Sequence, residues 1–331
     1  MSDKTGVMLC GHGSRDVEAI REFDHLAHLL KRRLPDYEVE NGYLEFARPI
    51  IRDGLEALKG RGVKRIVAIP GMLFAAGHVK NDLPWEVNSF ACENREMEVL
   101  YGRDLGIDSR LLKAAEERVA AAEKASDMPV SRSETLLLVV GRGTNDPDAN
   151  SNIAKVARML WEGMGFGWAE VAYSGVAHPR VNRALERIVP LGFRRIIVFP
   201  YFLFTGVLVK RIYTQTDEVA VLHPTTEFIK APYLNDHPLV LESFVEQVTD
   251  TLKGKSVMNC QLCKYREQIV GYETAVGTVQ TGHHHHVRGI GIDAAEHHHH
   301  HHEHEHEHEH EHEHEHEHEH EHEHGYEHGE S

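Results

Sequence analysis

The sequence predicts an α/β protein made of two tandem, similar lobes, each a small parallel sheet flanked by helices, followed by a disordered tail rich in histidine and glutamate. Three observations predict this fold. The chain repeats itself at a constant offset of 130 residues, each copy alternates short apolar runs with runs of helical periodicity, and the composition changes abruptly after the second copy. Strands that alternate with helices are typical of a parallel sheet covered on both faces.

The repeat between the two halves needs no gap. Residues 11–16, GHGSRD, align with residues 141–146, GRGTND. Residues 62–67, GVKRIV, align in the same way with residues 192–197, GFRRII. Such agreement at one fixed offset indicates a duplicated domain.

The first copy predicts four strands and at least two helices. Short apolar runs between turn residues predict strands at residues 7–10, 37–45, 66–70 and 97–101. Apolar residues at helical spacing from Val17 to Leu34 predict a helix that ends before Pro35. Residues 49–58 predict the next helix.

The second copy predicts matching strands at residues 136–140, 169–174, 196–200 and 227–231. We therefore expect an N-terminal lobe at residues 1–127 and a C-terminal lobe at residues 128–253, joined near residues 126–133. A CxxC segment at residues 254–282 and a His/Glu-rich tail at residues 283–331 follow.

Charge is concentrated in the tail. The chain carries 36 Lys+Arg and 52 Asp+Glu, a net charge of −16. Residues 283–331 hold 15 acidic residues and one basic residue, so the rest of the chain has a net charge of only −2. A nearly neutral body argues against a nucleic-acid partner, which needs a basic excess. No run approaches the roughly 20 apolar residues of a membrane helix, so we expect no membrane contact and a cytoplasmic location.

Positions where the repeat breaks point to the chemistry. His12 aligns with Arg142, Glu45 with Gly175, and His78 with Leu208. His12 and His78 follow predicted strands and Glu45 ends one, and the carboxyl ends of parallel strands share one edge, where ligands bind. Two imidazoles and a carboxylate there suit a divalent first-row metal ion, or acid–base chemistry near neutral pH.

Three motifs give the chain a family resemblance. The GHGSR turn at residues 11–15, the YLEFARP segment at 43–49 and the PGMLFAAGH loop at 70–78 resemble the class II tetrapyrrole chelatases, over roughly residues 6–250. The resemblance extends to the long CbiX form, which has a histidine-rich region and an MxCxxC segment near its C-terminus. It implies insertion of Co²⁺ into sirohydrochlorin in anaerobic-type cobalamin biosynthesis, with His12, His78 and Glu45 as metal-binding and catalytic residues.

The metal that the resemblance implies has competitors. The same ligands serve Fe²⁺, which would give sirohaem, and Ni²⁺. In a different class of protein, the α/β body would only dock a partner while the chain stores or delivers metal. The second copy lacks all three ligands, so we expect it to hold no equivalent metal site.

The tetrapyrrole substrate predicts a set of cations in the cleft between the lobes. Sirohydrochlorin carries carboxylates around its rim, and guanidinium and ammonium groups bind carboxylates well. The candidate substrate-binding residues near the strand edges are Arg48, Lys80, Arg142, Lys210 and Arg211. Arg142 is favoured because it replaces a ligand at the equivalent position.

Cys260 and Cys263 lie at CxxC spacing, which suits a single metal, a redox disulfide or half of an iron–sulfur site. The resemblance implies a [4Fe–4S] cluster. Two cysteines cannot supply four ligands, so two chains share the cluster as a homodimer, or Cys10, Cys92 or another ligand contributes. A pair of ordinary reduced thiols is the alternative.

Residues 283–331 hold 22 of the 29 histidines, including a strict Glu-His alternation from Glu303 to His324. With almost no apolar residues this tail cannot bury a core, which predicts disorder. We interpret it as a native metal reservoir for divalent ions. The alternative is an appended purification tag, which the length of the alternation argues against.

Overall fold

Two four-stranded parallel sheets form the centre of the computed structural model, which describes residues 4–257. The strands of the first sheet are β1 (Thr5–Gly11), β2 (Glu38–Tyr43), β3 (Arg65–Pro70) and β4 (Glu98–Tyr101). Those of the second are β5 (Thr135–Gly141), β6 (Trp168–Tyr173), β7 (Arg195–Pro200) and β8 (Glu227–Lys230). The strand orders are β2-β1-β3-β4 and β6-β5-β7-β8. The predicted α/β fold with two similar lobes is confirmed.

The strand register repeats at the offset seen in the sequence. Gly11 pairs with Tyr43 and Gly141 with Tyr173 at the carboxyl ends of the central strands. Since the register of a buried sheet fixes which side chains face which layer, the two lobes share one framework. Differences between them therefore lie in side chains and loops.

Eight α-helices cover the sheets within the described residues. They are α1 (Val17–Arg33), α2 (Ile51–Gly60), α3 (Leu83–Glu93), α4 (Ser109–Lys124), α5 (Pro147–Met164), α6 (Val181–Ile188), α7 (Val207–Leu222) and α8 (Pro238–Leu252). Short 3₁₀ turns lie at Arg132–Glu134 and Val189–Leu191. A π-helical turn at His78–Asp82 precedes α3, whereas its counterpart in the second lobe is part of the continuous helix α7.

The largest apolar cluster lies between the two sheets. It joins inward side chains of both sheets to the buried faces of α1, α4, α5 and α8. Two smaller clusters cover the outer faces, one against α2 and α3 and the other against α6 and α7. One continuous core therefore holds the lobes together.

The last helix of each lobe reaches across to the other. Helix α8 packs against α4 and against strands β3 and β4, while α4 contacts β8. After α8, Val257 forms an antiparallel bridge with Gly102, next to the end of β4. A side chain at Gly102 would place its Cβ 2.5 Å from Oγ1 of Thr251, so this close approach requires glycine. The C-terminal helix thus completes the first lobe as well as the second.

Two reciprocal sets of ion pairs cross between the lobes. Lys80 pairs with Asp146 and Asp148 at the N-terminus of α5. At the equivalent positions, 130 residues away, Lys210 pairs with Asp16 and Glu18 at the N-terminus of α1. The lysine of each lobe thus pairs with the equivalent acidic residues of the other lobe. Such reciprocal contacts are the pattern of an interface with two-fold symmetry.

No helix between residues 4 and 257 combines the length and apolar character that a membrane crossing requires. Cys260, Cys263, the rest of the predicted CxxC segment and the histidine-rich tail lie outside the described residues.

Candidate metal centre

Three loops at the carboxyl edge of the first sheet carry the predicted ligands. His12 directly follows β1, Glu45 lies two residues after β2, and His78 begins the π-helical turn after β3. Backbone pairing continues past the strand ends, because the Glu45 N–H donates to the His12 carbonyl at 3.0 Å. This hydrogen bond sets His12 and Glu45 side by side.

Gly13 is required where these two loops touch. Its φ is +96°, and a Cβ at this position would lie 1.7 Å from the carbonyl oxygen of Glu45. No residue with a side chain fits there without moving the backbone that carries Glu45. The second glycine of the GHGSR turn therefore serves the site geometry directly.

The structure brings His12, Glu45 and His78 together. One possible ligand atom from each lies within 4.8 Å of the other two, and together they form a group able to hold a metal ion. His12 Nε2 is 3.3 Å from Glu45 Oε1, and the two imidazole rings meet edge to face with centroids 4.4 Å apart. Two imidazoles and a carboxylate suit a divalent first-row ion. Their assignment as ligands stays a prediction.

Hydrogen bonds hold both imidazoles in one tautomer. His12 Nδ1 is 3.0 Å from the carbonyl oxygen of Gly13, and His78 Nδ1 is 3.0 Å from Oδ2 of Asp82. Both oxygens act as acceptors, so each Nδ1 donates its proton in the neutral ring. Nε2 of each histidine then keeps the lone pair that a metal ion needs.

Glu45 is the most buried of the three, with 4% of its surface exposed. Burial raises the pKa of its carboxyl group above the ordinary value, and the charge of Asp82 raises it further, while His78, Arg142 and Arg15 act in the opposite direction. A carboxylate in this setting gains from a cation placed beside it. The same group is suited to accept a proton when no cation is present.

The cluster opens into a cleft between the lobes with a volume of about 490 Å³. His12 and His78 lie on its wall, and Arg142, at the position equivalent to His12, lies on the wall of the other lobe. Aromatic side chains at Phe74 and Phe204 also line it. The cleft is therefore lined by candidate metal ligands from one lobe and by a cation from the other.

The five predicted substrate-binding cations lie in different places. Among the described residues, the cleft lining includes Arg142 but not the other four. Lys80 and Lys210 form the reciprocal ion pairs between the lobes. Arg211 donates to the carbonyl oxygen of Ser174 at 3.3 Å, and Arg48 is exposed. A substrate-binding role for these side chains stays a prediction.

Sequence reasoning missed three residues near the cluster: Arg15, Phe46 and Asp82. The Arg15 guanidinium lies 5.0 Å from the centre of the Phe46 ring, and both side chains line the cleft. Phe46 has a φ of 60°, an uncommon conformation for a residue with a side chain. At the offset of 130 residues, these three align with the different residues Asn145, Val176 and Ile212. A comparison of the two halves could therefore have identified them.

The described cysteines bear on the iron–sulfur prediction. Cys10 is fully buried in β1, and burial, assisted by the charge of Glu86, raises the pKa of its thiol strongly. A cluster ligand is a thiolate, so this environment disfavours Cys10 in that role. Cys92 is exposed on α3.

Comparisons with known proteins agree with this architecture. The CbiX family model matches residues 6–122 and again residues 136–251. A sirohydrochlorin cobaltochelatase of Priestia megaterium is 34% identical over 78% of this chain and 84% of its own length. A sirohydrochlorin ferrochelatase of the same organism is 29% identical over 75% of this chain and 91% of its own length. The solved structure of SirB from Bacillus subtilis with Fe³⁺ has a TM-score of 0.66 and 25% identity, covering 77% of this chain and 99% of SirB. The family model matches each lobe once, and the chain covers most of the length of these relatives. The chain therefore belongs to the CbiX family.

Proposed function

We propose that the protein is a sirohydrochlorin chelatase that inserts Co²⁺ as its substrate metal in cobalamin biosynthesis. The observation that carries the proposal is the cluster of His12, Glu45 and His78, which belongs to the first lobe and has both of its imidazoles on the wall of the cleft. The 34% identity to a cobaltochelatase supports cobalt as the ion.

Metal insertion requires a dehydrated cation to enter the macrocycle while two pyrrole N–H protons leave. The Nε2 atoms of His12 and His78 and the carboxylate of Glu45 replace part of the hydration shell of the cation and fix its position. When the ion moves into the macrocycle, these groups lose their cation and become able to accept the released protons. Positioning and proton acceptance are the contributions of the chain, and no nucleophile is needed.

The macrocycle would lie in the cleft with its plane facing the cluster. Arg142 on the second lobe and Arg15 on the first are the cations in the lining that can pair with its carboxylates. The ring of Phe46, which contacts Arg15, lines the same cleft and can pack against the macrocycle. Substrate and metal are thus held by different groups, and the cation reaches the pyrrole nitrogens from the first lobe.

The direct test uses the purified full chain, sirohydrochlorin and one metal ion at a time. Co²⁺, Fe²⁺ and Ni²⁺ are added separately, and the absorption spectrum of the macrocycle is followed. We expect the highest kcat/KM with Co²⁺. Absence of catalysed insertion with all three ions would overturn the proposal.

Insertion of Fe²⁺ is the second candidate activity. A relative that acts as a sirohydrochlorin ferrochelatase is 29% identical over most of this chain, and SirB has been solved with Fe³⁺. The ligand set of imidazole and carboxylate accepts either ion. A kcat/KM for Fe²⁺ above that for Co²⁺, measured without oxygen, would select this alternative.

The histidine-rich tail and the CxxC segment belong to the same proposal, although they lie outside the described residues. We propose that residues 283–331 buffer divalent metal and that Cys260 and Cys263 bind a [4Fe–4S] cluster, shared by two chains of a homodimer. Deletion of residues 283–331 separates an enzyme from a storage protein. A chelatase keeps its insertion rate at ample Co²⁺, whereas a storage protein loses most of its bound metal and its function.

A further inference from the structure

The π-helical turn that carries His78 also carries a buried carboxylate, Asp82, four residues later. The Leu83 N–H donates to the His78 carbonyl, which closes the wide turn. His78 and Asp82 lie on the same face, with Nδ1 and Oδ2 3.0 Å apart. Only 3% of Asp82 is exposed, so the carboxylate has been taken out of water.

The carboxylate of Asp82 does not serve as a helix cap. Asp82 is the residue before α3, but within residues 4–257 its side chain makes no capping hydrogen bond to that helix. A buried carboxylate costs free energy unless a partner compensates for it. The imidazole of His78 is such a partner, since its Nδ1 lies 3.0 Å from Oδ2 of Asp82.

The second lobe shows what the fold itself prefers at this position. Ile212 is equivalent to Asp82, is fully buried and belongs to the apolar cluster on the outer face of the second sheet. Leu208 is equivalent to His78. The carboxylate and the imidazole are therefore present together in the first lobe and absent together in the second.

The two imidazoles of the cluster reach the same tautomer by different acceptors. His12 uses the carbonyl oxygen of Gly13, whereas His78 uses a carboxylate. A carboxylate acceptor fixes the ring plane and makes the Nε2 atom a stronger ligand. The charge of Asp82 also acts on the carboxyl group of Glu45.

We propose that Asp82 is a positioning residue for metal insertion, which orients His78 so that Nε2 faces the cation and which raises the affinity of the centre for a divalent ion. The inference rests on the proposed chelatase function. It adds a specific expectation: loss of Asp82 lowers kcat/KM for the metal ion and leaves the KM for the tetrapyrrole unchanged.

The test compares two variants with a matched control in the full chain. Asp82→Ile introduces the residue of the second lobe, and Asp82→Asn keeps a hydrogen-bond acceptor without the charge. Asn94→Ala removes another buried polar side chain of the same lobe, which donates to the Phe90 carbonyl at the far end of α3. Initial rates are measured against Co²⁺ and against sirohydrochlorin, together with thermal unfolding.

We expect Asp82→Ile to lower kcat/KM for Co²⁺ by about 10- to 100-fold, as other carboxylate partners of ligand histidines do. Its KM for sirohydrochlorin should stay at the wild-type value. Asp82→Asn should give an intermediate loss, whereas Asn94→Ala should lower Tm and leave the KM for Co²⁺ unchanged. Wild-type kinetics in Asp82→Ile, or equal losses for both substrates with a lower Tm, would overturn the proposal.

Failure of the proposed function would look different. In that case the wild-type chain itself would not metallate sirohydrochlorin. Crystals soaked in Co²⁺ then decide the inference separately, because anomalous scattering locates the ion at individual side chains. We expect a cobalt peak among His12, Glu45 and His78 in the wild type, and a weaker peak with a rotated His78 ring in Asp82→Ile. Equal peaks and unchanged rings would reject a positioning role.

Discussion

At the carboxyl edge of the first sheet stand two imidazoles and a buried carboxylate, whereas the same edge of the second sheet presents a guanidinium, a glycine and a leucine. Strand order and register are the same in both lobes. Because the framework is shared, the contrast isolates the side chains that folding does not require. The candidate metal ligands therefore lie in the first lobe, while Arg142 of the second lobe lines the same cleft with a positive charge.

The contrast includes the backbone. Phe46 has a φ of 60° beside the cluster, and its counterpart Val176 is not among the described residues with positive φ. In the second lobe, Gly175 lies so close to the Arg142 carbonyl that a Cβ would be 2.4 Å from that oxygen. At the position equivalent to Glu45, the loop of the second lobe therefore has no room for a side chain.

Removal of the candidate metal ligands from the first lobe tests this contrast most directly. We expect His12→Ala with His78→Ala to lower the rate of Co²⁺ insertion by about 10²- to 10⁴-fold, since both the metal ligands and the proton acceptors are lost. The rate is followed through the absorption spectrum of sirohydrochlorin, with circular dichroism as the check on folding.

The matched control makes the same change in the second lobe. Arg142→Ala with Leu208→Ala should leave the KM for Co²⁺ unchanged, because neither side chain belongs to the ligand cluster. If the control loses metal use and the first-lobe variant keeps it, the assignment of the metal to the first lobe is wrong.

A second test concerns folding. Gly175→Ala should destabilise the protein by about 1–3 kcal/mol, because the new Cβ meets backbone and the loop must shift. Glu45→Gly, the reverse change at the equivalent position, removes a buried carboxylate and should leave Tm at or above the wild-type value. Urea unfolding of both variants measures the difference. A harmless Gly175→Ala would show that the loop of the second lobe could accept a ligand after all.

The sequence predicted the fold because duplication displays the pattern twice. Each strand predicted in one half had a partner in the other, and both sheets formed as expected. The centre was predictable in part, because His12, Glu45 and His78 break an otherwise matching pattern. The π-helical turn at His78 was not, since its counterpart is an ordinary helix and no residue marks the wide turn.

What the sequence could not predict depends on contacts between lobes. Lys80 and Lys210 lie near the right strand edges, yet the N-terminal acids of α5 and α1 bind them. Helix α8 also packs against the first sheet, which no local pattern indicates. Such choices are settled by tertiary packing, and both involve residues far apart in the chain.

A third test separates the two functions of the cleft. Arg142→Leu should raise the KM for sirohydrochlorin about tenfold, because a charge-assisted hydrogen bond to a carboxylate contributes about 1.5–3 kcal/mol. Its KM for Co²⁺ should stay unchanged. Arg48→Leu is the control, since Arg48 is exposed and not among the described residues that line the cleft. An equal rise of the KM for sirohydrochlorin in both variants would mean that a position in the cleft lining does not determine which arginine binds the substrate.

The smallest expected effect concerns the reciprocal ion pairs, where the exposure of the two lysines differs. The side chain of Lys210 is 53% exposed and that of Lys80 is 9% exposed. The hydrogen bond from Lys210, with help from the backbone N–H of Glu18, holds the pKa of Asp16 below its ordinary value of 3.8. A lowered carboxyl pKa stabilises the folded state above that ordinary value, and the contribution is lost as the pH falls through the folded pKa. Lys210→Met should therefore lower Tm slightly at neutral pH, less in high salt, and not at all once Asp16 is protonated.

Lys80→Met should lower Tm more and with less dependence on salt, because Asp146 and Asp148 would face its buried site without a cation. Tm is measured across pH and salt concentration. Equal losses of Tm in the two variants would show that the two sets of ion pairs contribute equally to stability, despite the different exposure of their lysines.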